Sequence, residues 1–307
     1  MIKKDIFNGN TRDRLESSAR EKLYSFFMAE KMLRGGIVNA TCLVKEMRAN
    51  HGLGVVETLV LGQAYIAALL LTSTLKNKDR IRLNIDCSGP VKGIDVESNV
   101  FGEVKGFLKN PVFSAQASGE ETGVSAFLGA GFLTLTKYLE KAKTPYTGKI
   151  ALEYGDIAGD LANYYLQSEQ TPTAFNLSVA FDSQGEVTGA GGLFIQAMPG
   201  ADEDLLASAE TAIGQMGSIG DAIARSVDIT DLINTHFKSL APVFLKHSRV
   251  AFFCRCTREN MLGHLACLGQ EDIDDLLEKG PFPLEIKCHN CSSVYTFSKA
   301  DLEKLKK

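Results

Sequence analysis

Apolar residues recur along the chain in two rhythms, and together they set the fold class. From Val55 to Lys76 the run VVETLVLGQAYIAALLLTSTLK spreads apolar side chains around most of a helical circumference, which predicts a helix buried on nearly all sides. Short alternating or apolar runs broken by turn residues follow: RIRLNIDC (80–87), GIDVES (93–98), GEVKGFL (102–108), GFLTLTKYL (131–139) and GKIALEY (148–154). Their close spacing predicts antiparallel meanders, a sheet on which the buried helix packs. AFNLSVAFD (174–182) and VTGAGGLFIQAMP (187–199) flank a Ser183-Gln184-Gly185 turn and predict a hairpin. Between the two groups, Asp156 to Glu169 predicts a helix with Ile157, Leu161 and Tyr164 or Tyr165 on one face.

The pattern weakens after Pro199. ADEDLLASAETAIGQMGSIGDAIARS (201–226) is rich in alanine, glycine and serine and carries few large apolar groups. An interior glycine costs a helix about 1 kcal/mol, and short helices are marginal alone, so this stretch depends on docking against its neighbours. The expected organisation is α+β: an N-terminal domain of antiparallel sheets packed with helices (1–200), a metastable helical linker (201–249) and a small C-terminal cysteine module (250–307).

Composition narrows the class. The 307 residues are 45% hydrophobic and 23% charged with net charge −4, as in a soluble globular protein. Met1 to Asn10 (MIKKDIFNGN) has no apolar core of a signal peptide, and the longest apolar stretch, Ala64 to Leu71, falls short of the roughly 20 residues that span a bilayer. A cytoplasmic protein with no membrane partner is expected.

Five of the seven cysteines crowd into the last 54 residues, which favours metal or thiol chemistry over a disulfide framework. Cys254-Arg255-Cys256 is followed, after 31 residues, by Cys288-His289-Asn290-Cys291. Zinc prefers four tetrahedral donors and takes thiolate readily, so the two pairs predict one closed site with one zinc per chain. In the extended run Ala251 to Cys256, residues two apart point to one face, so Cys254 and Cys256 can reach the same metal. His264, Cys267 and His289 stand in or beside the module as alternative ligands. Cys267, in the apolar stretch MLGHLACLG, is expected to be a small core residue, as are Cys42 and Cys87, and His289 a solvated one. A module this small gains much of its folding energy from metal. Because zinc holds sulfur as thiolate, the species oxidants attack, coupling Cys288 to Cys291 would remove two ligands, release the metal and unfold the module.

Other functions fit less well. A nucleic-acid-binding or structural protein built on a four-cysteine zinc ribbon is the main alternative. The chain holds 33 basic residues against 37 acidic, and residues 251–307 hold 8 against 9, so phosphates find no basic footprint. An enzyme is not expected. Cys288-xx-Cys291 lies between strand-like IKC and VYTF rather than opening a helix, and Gly129-x-Gly131 and Gly189-x-Gly191-Gly192 lack the helix and acidic residue of a dinucleotide site. Ser168-Glu169-Gln170, with no histidine nearby, reads as a helix end.

As a set, CxC, a 31-residue gap and CxxC closely resemble the thirty-three-kilodalton heat-shock proteins, redox-regulated holdase chaperones. Tyr164 to Thr173 (YYLQSEQTPT) is similar to that family's mid-chain signature, and Gly189-Ala190-Gly191-Gly192 with Gln196 and Pro199 to the strand closing its first domain. Leu128-Gly129-Ala130-Gly131 and Pro145-Tyr146-Thr147-Gly148 also fit. The resemblance runs from about Leu33 to the C-terminus and leaves residues 1–30 as an extension. It implies a cytosolic, ATP-independent chaperone of the stress response, dormant when reduced and zinc-loaded. On oxidation Cys254 pairs with Cys256 and Cys288 with Cys291, zinc leaves, the linker unfolds and unfolded client proteins are captured, with homodimerisation favouring activity. A disulfide between residues two apart closes a tighter ring than one between residues three apart, so Cys288–Cys291 is expected to form first.

Overall fold

The computed structural model describes residues 1–112 and 124–305. Its centre is the helix Val55–Thr72, buried along nearly all its length and gripped between two sheets. The six-stranded sheet contains β3 (Arg80–Cys87), β4 (Gly93–Asn99), β5 (Glu103–Leu108), β6 (Gly131–Tyr138), β7 (Tyr146–Ala151) and β11 (Ala251–Phe252) in the order β11-β5-β4-β3-β6-β7. Pairing is antiparallel except at β11, which joins β5 in parallel. Alternation puts Ile81, Leu83, Ile85, Leu133 and Leu135 in the core, as the period-2 pattern predicts.

The five-stranded sheet runs β10-β1-β2-β9-β8 and is antiparallel throughout, with β1 at Lys22–Met28, β2 at Leu33–Asn39, β8 at Thr173–Phe181, β9 at Val187–Ala197 and β10 at Val243–Arg249. The predicted hairpin is β8–β9. Residues 22–28, left with the N-terminal extension by the sequence, form an inner strand of this sheet; their pattern is unremarkable because β1 finds its partners at residues 33–38 and 243–249.

Both faces of the five-stranded sheet are covered. Leu23, Val38, Ala190 and Phe194 join the core shared with the helix Val55–Thr72. Phe26, Ile37, Leu193 and Ile195 form a second core with Ala209, Met216, Ile219, Ala222, Ile229, Ile233 and Phe237, all from residues 201–249. The helices Glu203–Met216, Ile219–Ala224 and Ile229–His236 therefore use their few apolar side chains on this face. Glycine permits the closest approach: a Cβ on Gly189 of β9 would lie 2.0 Å from the Gly220 carbonyl oxygen. The end of the same segment is β10 itself, paired with β1.

The C-terminal module holds the helices Arg258–Leu265 and Gln270–Lys279 and the hairpin β12 (Leu284–Lys287) and β13 (Val294–Phe297). Met261, Leu265, Ile273, Leu277, Phe297 and Leu302 are its buried apolar residues. Thr257 caps the first of these helices, and Ser298, in a capping box with Asp301, caps the short helix Lys299–Glu303 that follows the hairpin.

Candidate thiol metal centre

The backbone delivers the first cysteine pair directly from the six-stranded sheet. Ala251 N–H donates to the Gly102 carbonyl (2.9 Å) and Phe253 N–H to that of Val104 (3.0 Å), so the ladder against β5 ends one residue before Cys254. The second pair sits on the turn joining β12 to β13. Ser292 N–H donates to the Cys288 carbonyl (2.7 Å) and Cys288 N–H to that of Ser293 (2.9 Å), with Ser292 left-handed at φ 54°. This tight turn brings Cys288 and Cys291 to one side.

All four sulfurs lie within 4.8 Å of one another and all four cysteines are buried. Cys254 Sγ is 3.9 Å from Cys288 Sγ, and Cys256 Sγ is 3.3 Å from Cys291 Sγ. A tetrahedral zinc with bonds of about 2.3 Å would space its sulfurs about 3.8 Å apart, so the donor set fits such an ion with little adjustment. Charge is distributed unequally among the thiols. Hydrogen bonding with Cys254 and Cys288, and then with Ser293, holds Cys291 far below the ordinary thiol range, whereas hydrogen bonding with Cys288 and Cys291 and then burial push Cys254 up. A thiolate is thus already favoured at the innermost sulfur.

Side chains around the sulfurs complete the site. Tyr295 Oη lies 3.3 Å from Cys256 Sγ and donates to the Cys256 carbonyl at 2.9 Å. Asn50, buried at the end of the helix Thr41–His51, donates to the Cys291 carbonyl (3.0 Å). Its neighbour His51 meets the Ser292 hydroxyl through Nδ1 (2.9 Å); burial pushes this imidazole down to about 4, and its buried Nε2 has no hydrogen-bond partner among the described residues. Gly106 N–H donates to the Asn290 carbonyl (3.2 Å), fastening the second cysteine turn to β5. These contacts tie the cysteine cluster to the helix Thr41–His51 and to β5, which the cysteine spacing alone does not reveal.

The alternative ligands lie apart from the cluster. His264 and His289 are exposed, the latter with its ring 5.7 Å from that of Phe107. Cys267, expected in the core, is exposed: it follows the helix Arg258–Leu265, whose buried side is made by Met261 and Leu265. Cys42 is buried as expected and Cys87 only partly so, at the end of a strand. Ser168, Glu169 and Gln170 close the helix Ile157–Glu169, with Gln170 in the left-handed cap position and Glu169 paired with Lys137.

Comparison with known proteins agrees with this architecture. The Hsp33 protein family model matches residues 21–298. The chain belongs to the Hsp33 family. A 33 kDa chaperonin of Desulforamulus reducens is 36% identical over 269 residues, 87% of this chain and 90% of that protein. One from Thermus thermophilus is 35% identical over 287 residues, 89% of this chain and 83% of that protein. The crystal structure of the 33 kDa chaperonin of Thermotoga maritima, a heat shock protein 33 homolog, superposes with a TM-score of 0.85 at 30% identity, covering 93% of this chain and 97% of that one. Chaperone function is what membership of the Hsp33 family supports.

Proposed function

We propose that this protein is a redox-regulated, ATP-independent holdase of the cytoplasm, acting as a binding protein rather than an enzyme. In the reduced form Cys254, Cys256, Cys288 and Cys291 hold one zinc ion, and residues 201–249 stay folded on the five-stranded sheet. Under oxidative stress Cys254 couples to Cys256 and Cys288 to Cys291. Each coupling consumes two thiolates, two protons and one peroxide, and yields a disulfide and two waters. Zinc leaves because its ligands are gone, and the module loses the binding energy that holds it together.

The observation that carries this reading is the placement of the four buried sulfurs against the helix Thr41–His51 and β5. β10 ends the 201–249 segment and leads through β11 to Cys254, so a disturbance at the sulfurs has a short covalent route to β10 and the helices before it. Release of those helices would bare Phe26, Ile37, Leu193 and Ile195, an apolar surface suited to unfolded clients. Homodimerisation of the active form would enlarge that surface.

The test follows zinc release and suppression of aggregation of a thermally unfolding protein while the reduced chain is treated with peroxide at elevated temperature. The two signals should rise together and reverse with a thiol reductant. Zinc release with no gain in suppression would reduce the site to a structural ribbon.

A further inference from the structure

The family match begins at residue 21, yet the first four residues of this chain lie across the thiol site. The Met1 amino group donates to the Cys256 carbonyl (2.7 Å), and Met1 Sδ accepts the Cys254 N–H (3.0 Å). Ile2 brackets Ser293, its N–H donating to the hydroxyl and its carbonyl accepting from it, each at 2.9 Å. That hydroxyl also lies 3.2 Å from Cys291 Sγ. Asn50 ties the same residues down: its Oδ1 accepts the Lys4 N–H (2.8 Å), and its Nδ2 donates to both the Ile2 carbonyl (3.0 Å) and the Cys291 carbonyl (3.0 Å). Lys3 adds an ion pair to Glu46 on the helix that carries Asn50.

We propose that residues 1–4 are a strap that gates access of oxidants and thiol reagents to the buried cysteine cluster, a control that lies outside residues 21–298 matched by the family model. The strap touches both cysteine pairs, through Cys254 and Cys256 on one side and through Ser293 to Cys291 on the other. It is held chiefly by backbone groups, so its hold depends on local order rather than on a bulky side chain; Ile2 as a residue is 54% exposed. Past Lys4 the chain turns on Asp5, whose carboxylate accepts from Phe7 and Gly9, and enters the helix Thr11–Arg20 that leads to β1. The strap is thus anchored at one end to the strand that pairs with β10. With the strap seated, a reagent must wait for local opening before it reaches the sulfurs.

The proposal deepens the redox reading above, and its test is independent of chaperone activity. Full-length reduced protein, a variant lacking residues 2–10, and Lys4→Pro, which removes the amide donor to Asn50, are alkylated with N-ethylmaleimide and each cysteine is followed by mass spectrometry. Exposed Cys267 is the internal reference. Cys254, Cys256 and Cys291 should react at least tenfold faster relative to Cys267 in both variants, with circular dichroism unchanged. If the shortened variant does not fold, Lys4→Pro alone decides. An unchanged ratio in a folded variant overturns the strap. A rate gain in a protein that never suppresses aggregation supports the strap and counts against the holdase reading.

Discussion

Glu21 shows how a single buried residue can set a pH response far from the sulfurs. It is 5% exposed, and its carboxylate accepts the Leu43 N–H at 2.9 and 3.1 Å, capping the helix Thr41–His51 from outside. Burial pushes its carboxyl up to about 8, against the two backbone hydrogen bonds and with help from Glu46. The folded state therefore holds this proton more tightly than the unfolded chain, so its contribution is complete below about 4.5 and is lost as pH climbs to about 8. Glu21→Gln keeps an acceptor for Leu43 and removes the titration. The variant should melt higher than the parent at pH 8, by up to about 4 kcal/mol, and match it near pH 4.5; parallel melting curves at both pH values would refute this. At the thiol site, slow peroxide titration with disulfide mapping should show Cys288–Cys291 accumulating before Cys254–Cys256, and the reverse order would remove the ring-strain argument. The four cysteines were legible because their spacing is itself the chemistry. Asn50, His51 and Met1 were not, since they come from the far end of the chain and carry no pattern of their own. Cys267 misled because an apolar sequence context does not say which side of a helix faces out.

Elements with a strict two-residue alternation were readable nearly to the residue: RIRLNIDC is β3, and the pair flanking Ser183-Gln184-Gly185 is β8–β9. The strands that escaped have a physical reason to do so. In β2 the adjacent Gly35 and Gly36 break the apolar rhythm, yet they are there because a Cβ at Gly35 would sit 2.4 Å from the Phe26 ring and one at Gly36 3.1 Å from that of Phe194. In β10 most side chains are exposed, so edge position rather than burial defines it. The small-residue helices of 201–249 pack on the five-stranded sheet through their few apolar side chains, and Gly189 gives a handle on that docking. Gly189→Ala forces backbone apart where β9 meets the helix Ile219–Ala224. The variant should lose proteolytic protection within 201–249 while fully reduced, and should suppress aggregation without oxidant. A variant as protected as the parent would show that the sheet can absorb the methyl group. Asp160 offers a contrasting test at a helix start: it accepts backbone N–H groups from Glu153, Tyr154 and Gly155, so Asp160→Ala strands three donors and should lower stability by about 2 to 4 kcal/mol in denaturant unfolding.

Across the whole molecule, the thiol cluster and the two sheets are joined through few residues. On the proposed zinc-bound reading, chelating the metal from the reduced protein should raise hydrogen exchange at Phe253 and Gly106, which bond between the cysteine-bearing residues and β5, while β3 and β4 stay protected; exchange confined to the hairpin β12–β13 would refute that coupling. The two-sheet body was foreseeable as a class, but its closure was not, because the last strand of each sheet comes from beyond residue 242, long after its partner. That order matters at the ribosome. β1 leaves with residues 22–28, yet the strand that covers its outer edge is not made until residues 243–249. At about 5–20 residues per second, the edge stays bare for roughly 10 to 45 s of translation. For that interval the growing chain is itself an incomplete sheet in need of shelter, so a protein of a chaperone family must first survive as something resembling a client.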